Sequence, residues 1–209
     1  MWSHGPIFAT NCRSFWPRPW VPERPRLPSA SAVPTATAAY SFGLKRVPFL
    51  DTFIIGSLFT IRVLLGIAAA AVAPSAWLLT FAMFFFFSLA TAKRHTELRR
   101  AEKHVLKHLD GRGYNIEDQA VMLAFGVASA MASVLIVVIY LVGEVLARGI
   151  YRQPEWLWAE PIVIFLFVVR IWLLSHRGLM MDDPIAFALR DRASLSLGAI
   201  AGGAILLAF

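Results

Sequence analysis

Cysteine is nearly missing from this chain of 209 residues: Cys12 stands alone. That excludes an internal disulfide and any cysteine-based metal site. Acid is scarce as well, with 13 Asp and Glu against 20 Lys and Arg. The resulting formal charge of +7 would point a soluble domain toward nucleic acid. Residues 1–39 lack any apolar run long enough for the core of a signal peptide. They hold seven of the twelve prolines, three tryptophans (Trp2, Trp16, Trp20) and a single acid, Glu23. Proline this dense excludes helix, so 1–39 is expected to be extended or disordered. A mitochondrial-type leader and a non-native segment are the alternatives for that stretch. Proline thins out beyond it, and 40–209 forms the second region.

What the chain has in abundance is apolar sequence. It is 58% hydrophobic, with a mean hydropathy of +0.63, against about 45–50% apolar in soluble domains. The excess falls in long runs of the kind that cross a bilayer, for which about 20 apolar residues are needed. Five runs qualify: 48–73, 75–92, 119–147, 156–175 and 193–209. The expected fold class is all-α, a polytopic membrane helix bundle of about five transmembrane helices. Pro74 separates the first two spans, a polar loop over 93–118 follows the second, and another polar loop covers 176–192. The positive charge sits in these loops: Lys93, Arg94, Arg99, Arg100, Lys103, Lys107 and Arg112 in one, and Arg177, Arg190 and Arg192 in the other. Lys45 and Arg46 precede the first span. With five spans all three basic segments share one face, which the positive-inside rule makes cytoplasmic. The positive charge is thereby assigned to loops rather than to nucleic-acid binding.

A stop-transfer boundary explains cations but does not require acids among them. Glu97 lies four residues after Lys93 and three after Arg94, so on a continuing helix all three share a face. The cations suit phosphate, and the carboxylate suits Mg²⁺ or the positioning of the cations. Asp182 and Asp183 precede Pro184, and Asp183 is equally placed to cap a helix starting there. Asp191 follows two turns later, near the same face. Two cations lie inside spans. Arg170 is near enough to the boundary to snorkel. Arg62 is central, where a cation costs roughly 2.5–3.5 kcal/mol on insertion scales, so it calls for a polar cavity, an acid or a phosphate.

The stretches "YSFGLKRVPFLD" (Tyr40 to Asp51), "AKRHTELRR", "GRGY", "RIWLLSHRG" and "DDPIAFALRDRAS" come in an order that resembles the UbiA superfamily of intramembrane prenyltransferases. The similar branch is the one that includes the decaprenyl-phosphate phosphoribosyltransferases, and the resemblance covers about 40–209. It implies a nine-helix fold around a central cavity, of which the five spans would be the last five helices. It also implies two polar cytoplasmic loops that bind Mg²⁺ and donor phosphates, and a polyprenyl lipid substrate. On that basis Lys93, Arg94 and Glu97 would be catalytic, with Glu97 the metal ligand. Tyr40, Lys45, Arg62, Asp182, Asp183 and Asp191 would contact substrate. The family's Asn-Asp-x-x-Asp-x-x-x-Asp motif and the four helices around it have no counterpart here, and Lys93-Arg94 stands where aromatic prenyltransferases carry aspartates.

The expected function is therefore transfer to or from a polyprenyl phosphate or diphosphate with Mg²⁺, either prenyl or 5-phosphoribosyl transfer, at an inner membrane. The alternative is an inactive fragment that at most binds lipid phosphate. A small transporter fits less well, because the charges gather at one face. Membrane lipid is the expected surrounding, and no protein partner is implied.

Overall fold

The structure is a computed structural model that describes residues 48–103, 113–146, 149, 151–180 and 184–209, all within the unit Ala39–Phe209. Every regular element among these residues is helical, in agreement with the expected class. Helix α1 is Leu50–Ala69 and α2 is Ala76–Lys103. A single 3₁₀ turn, Ile116–Asp118, leads into α3, Gln119–Tyr140, which runs on into a π turn at Leu141–Val145. Another 3₁₀ turn, Pro154–Trp158, opens α4, Ala159–Arg177. Short α5, Pro184–Ala188, and α6, Arg192–Ala208, complete the order.

Four helical segments are long and apolar enough to cross a membrane: Leu50–Ala69, Ala76–Glu102, Ile116–Val145 and Pro154–Arg177. The fifth expected span corresponds to α6, whose 17 residues extend about 26 Å, a little short of a hydrocarbon core of about 30 Å. The side chains facing away from the bundle are largely apolar, including Phe53, Phe125, Ile162 and Leu166. Lipid is the solvent that tolerates such a surface.

The break between α1 and α2 falls where Pro74 removes a backbone donor, with Ala71 at a positive φ of 54°. The end of α2 differs from expectation. The charged stretch from Lys93 does not open a loop but continues the helix to Lys103. Its Lys, Arg, Glu, Leu and Ala are strong helix formers, and no Gly or Pro interrupts them. At 28 residues, α2 is about 42 Å long and must project beyond the apolar layer.

Small residues set the packing. Gly56 of α1 lies against the Phe87 backbone of α2, where an added Cβ would stand 3.0 Å from Phe87 Cα. Gly126 of α3 lies under the Trp172 ring, with 2.2 Å available to a Cβ. Gly126, Ser129, Ala130 and Ser133 form the buried stripe of α3, a small-residue face of the kind that lets membrane helices approach. The central core joins Leu89, Ala92, Ala130, Val168, Ile171, Trp172 and Met180. Polar ties cross it: Trp172 Nε1 donates to Ser88 Oγ at 3.0 Å, which donates to the Gly126 carbonyl at 2.8 Å.

Candidate phosphate-facing site at one end of the bundle

The first turn of α1 and the last third of α2 run antiparallel, which brings Asp51 to Arg94. Both are buried, at 0% and 3% exposure. Arg94 Nε donates to Asp51 Oδ2 at 2.8 Å, and its Nη1 donates to Glu97 Oε1 and Oε2 at 2.9 and 2.8 Å. The other Asp51 oxygen accepts from the Thr52 backbone N–H at 2.7 Å and from the Tyr114 hydroxyl. Tyr114 in turn accepts from the Phe49 N–H at 2.7 Å, where the backbone turns at a positive φ of 65° into α1. Burial, reinforced by the Asp51 hydrogen bond, pushes the Tyr114 hydroxyl well above its ordinary pKa, so it remains the donor of that pair. A buried ion pair survives desolvation only with further hydrogen bonds to support it, which Glu97, the Thr52 N–H and Tyr114 supply here.

Beside this network lies a cavity of about 310 Å³ between the two helices. One wall is the i, i+3, i+4, i+7 stripe Ile55, Leu58, Phe59 and Arg62 of α1. The facing wall is the matching stripe Phe86, Leu89, Ala90 and Lys93 of α2, and Arg94 and Pro184 complete the lining. Among the described residues, three cations and no carboxylate line it. The Arg62 guanidinium carbon sits 4.8 Å from the centre of the Phe59 ring, a cation–π contact that anchors a charge deep in the first span.

The end of α2 also clamps the segment after α4. Arg99 Nε donates to the His176 carbonyl at 3.1 Å. Arg100 donates to the Gly178 and Met180 carbonyls at 3.2 and 2.6 Å. Deeper in, Ser175 Oγ donates to the Ala92 carbonyl at 2.8 Å and lies 3.0 Å from both His95 Nδ1 and Thr96 Oγ1. Gly178, left-handed at φ 71°, ends α4. The basic segment after Lys93 and the one around Arg177 therefore meet at one end of the bundle.

Of the residues singled out from sequence, Lys93, Arg94 and Arg62 come together on one cavity, with Glu97 bound to Arg94 at its edge. Asp191 does not join them. It caps α6 through Ser194 N at 2.9 Å and grips Arg170 with two bonds of 2.9 and 3.0 Å. The Arg170 bonds, aided by Ser194, hold its pKa down at about 2. Tyr40, Lys45, Asp182 and Asp183 lie outside the described residues. Asp51, Tyr114 and His95 were not singled out. A first-turn acid and a Gly-Tyr were visible, but not partnership across 43 or 63 positions.

Asp51 and Glu97 already accept bonds on both oxygens. Among the described residues no group of three or more His, Cys, Asp or Glu is arranged to hold a metal.

No protein-family model matches the chain. It is 44% identical over 179 residues to the uncharacterized protein y4nM of Sinorhizobium fredii, covering 86% of this chain and 35% of that protein. It is 31% identical over 147 residues to the nodulation protein NoeC of Azorhizobium caulinodans, covering 70% of this chain and 47% of that one. Over 65 residues it is 42% identical to a decaprenyl-phosphate phosphoribosyltransferase of Mycolicibacterium smegmatis, covering 31% of this chain and 20% of that enzyme. The chain thus spans between about a third and a half of the length of the first two relatives. The membrane-length helices and this enzyme relative together indicate an integral membrane protein.

Proposed function

We propose that this chain contributes the cation-lined half of a UbiA-type membrane transferase site that takes a polyprenyl phosphate and a phosphorylated donor. The observation that carries the reading is the cavity between α1 and α2. Its apolar walls suit an isoprenoid chain, and Arg62, Lys93 and Arg94 suit its phosphate. The similarity to a decaprenyl-phosphate phosphoribosyltransferase supports 5-phosphoribosyl transfer over prenyl transfer.

In that reaction a phosphate oxygen of the lipid forms a bond to the anomeric carbon of the ribosyl donor. The bond from that carbon to diphosphate breaks, and diphosphate leaves with the electron pair. Cations fixed on the lipid phosphate hold its attacking oxygen in place for that carbon. Asp51 and Glu97 act as positioning residues, because they hold the Arg94 guanidinium beside the cavity. Mg²⁺ would need carboxylates other than these two; Asp182 and Asp183 are the candidates in this chain, and no step here is routed through the ion.

Farnesyl phosphate and farnesol, titrated onto the protein in nanodiscs, test the reading. Farnesyl phosphate is expected to bind at least about 10-fold more tightly than farnesol, since a charge-assisted bond contributes about 1.5–3 kcal/mol. Arg62→Gln and Lys93→Gln should each erase most of that difference. Equal binding of the two lipids to the unmodified protein rejects the proposal.

A second reading, a segment that binds lipid phosphate without turning it over, is favoured by the share of the relatives that the chain spans. Incubation with polyprenyl phosphate, Mg²⁺ and labelled phosphoribosyl diphosphate separates the two. Product above a Lys93→Gln, Arg62→Gln control supports catalysis by the chain itself.

A further inference from the structure

Arg62 stands in the middle of a membrane-length helix with its fork of N–H donors unused. Among the described residues no hydrogen-bond acceptor and no carboxylate is paired with it. The residue is exposed and lines the cavity between α1 and α2, so those donors are within reach of a ligand. Arg170, also inside a span, is answered instead by two bonds to Asp191. What Arg62 has is the ring of Phe59, three residues earlier on the same face of α1, with the guanidinium carbon 4.8 Å from the ring centre.

That ring is itself held. Phe59 stacks on Phe86 of α2, with centroids 5.1 Å apart and planes 24° apart. Phe86 meets Phe85 edge-on at 5.7 Å, and Phe85 stacks on Phe167 of α4 at 6.0 Å. Phe85, Phe86 and Phe167 all pack against the central core. A row of rings thus runs from the guanidinium across α2 to α4, and Phe59 would have to break its stack to move aside. A ring face meets less than the full cost of a cation in lipid, so the rest is left for an anion. A guanidinium over a ring keeps its N–H edges free, and those edges match two oxygens of a phosphate. Holding so long a side chain before the ligand arrives also removes part of the ordering cost of binding.

We propose that Phe59, held by Phe86, is a positioning residue for phosphate recognition: its ring fixes the Arg62 guanidinium at the cavity between α1 and α2, so that the N–H edges are presented to the lipid phosphate. This role rests on the phosphate-binding reading of that cavity. Phe59 also lines the cavity, so a change of ring shape would alter the fit of the apolar chain as well. A change of ring charge at constant shape alters the hold on Arg62 alone.

Phenylalanine carrying one, two or three ring fluorines is incorporated in place of Phe59 in the intact chain, which drains negative charge from the ring face and nearly keeps its shape. Farnesyl phosphate and farnesol are titrated onto each form in phosphatidylcholine nanodiscs. The preference for farnesyl phosphate is expected to fall stepwise, by about 2- to 5-fold at the third fluorine, with farnesol binding unchanged. Phe59→Tyr should keep the preference, and Phe59→Leu should lose at least as much as the trifluorinated ring. In Arg62→Gln the fluorine series should be flat. A preference that is present in the unmodified protein but indifferent to fluorination overturns the positioning role alone. So does an equal weakening of both lipids, the mark of a ring that only packs, and so does a fluorine effect that persists in Arg62→Gln. No preference in the unmodified protein rejects the phosphate reading itself, and the positioning role with it. The fluorinated rings decide the matter even if Phe59→Leu fails to fold.

Discussion

At the end of the bundle where α2 and α4 finish, Asp51 has both carboxylate oxygens occupied by Arg94, Tyr114 and the Thr52 N–H. At the other end Glu160 keeps one oxygen buried with no partner at all. Both acids sit in the first turn of an apolar helix. The fold completes the hydrogen bonds of the first and leaves one oxygen of the second unanswered. The difference shows that burial of an acid means different things in different places: one is answered by the fold, and the other carries an uncompensated cost.

The sharpest way to break the comparison is to take Asp51 away. Asp51→Leu leaves Arg94 buried beside Glu97 alone, and breaking a buried pair in this way costs about 3–5 kcal/mol. Reversible unfolding in mixed micelles measures it. The double variant Asp51→Leu, Arg94→Met removes both charges and should regain most of the loss, while abolishing the preference for farnesyl phosphate. Recovery of that preference in the double variant would remove Arg94 from the phosphate site.

Tyr114→Phe comes next. It deletes a donor to Asp51 and an acceptor for the Phe49 N–H. The expected cost is about 1–3 kcal/mol, because the Phe49 N–H loses its acceptor and that Asp51 oxygen keeps only the Thr52 N–H. Glu160→Leu should move in the opposite direction. Removing an unpartnered buried oxygen is expected to stabilise the protein by about 1 kcal/mol in the same unfolding assay. A loss there comparable to that of Asp51→Leu would mean that the two ends are built alike.

Asp191 gives the smallest effect, and it depends on pH. Its pKa falls from 3.8 to about 2 on folding. Its stabilisation is therefore present above about pH 4 and disappears as the pH falls through 2. Arg170 is 38% exposed, so solvent screens the pair and the contribution of the ion pair is at most about 1 kcal/mol. Asp191→Asn should thus destabilise measurably at pH 7 and hardly at all at pH 2.

Much of the architecture was legible in the chain, because the bilayer imposes a length and a composition on anything that crosses it. Long apolar runs announced the helices, Pro74 the break between the first two, and the spacing of Lys93, Arg94 and Glu97 their common face. The end of α2 was misread as a loop because charge was taken as the sign of a boundary, whereas helix propensity does not stop at the membrane surface. The centrality of Arg62 indicated a polar environment, and a cavity is present beside it.

The partners of the buried groups were decided only by the tertiary structure. Asp51 meets Arg94 and Tyr114 because Gly56 allows α1 to lie against α2, and because the chain returns through Tyr114 at the end of that pair. Arg170 reads from sequence as a snorkelling cation, yet it finds Asp191 at the start of α6. Glu160 reads as an ordinary first-turn acid, and only packing shows that one of its oxygens is enclosed and unanswered. Periodicity specifies which side chains share a face of one helix, since that follows from 3.6 residues per turn. Which face meets which is set by the contact of small residues between helices, and no local pattern in the chain carries that information.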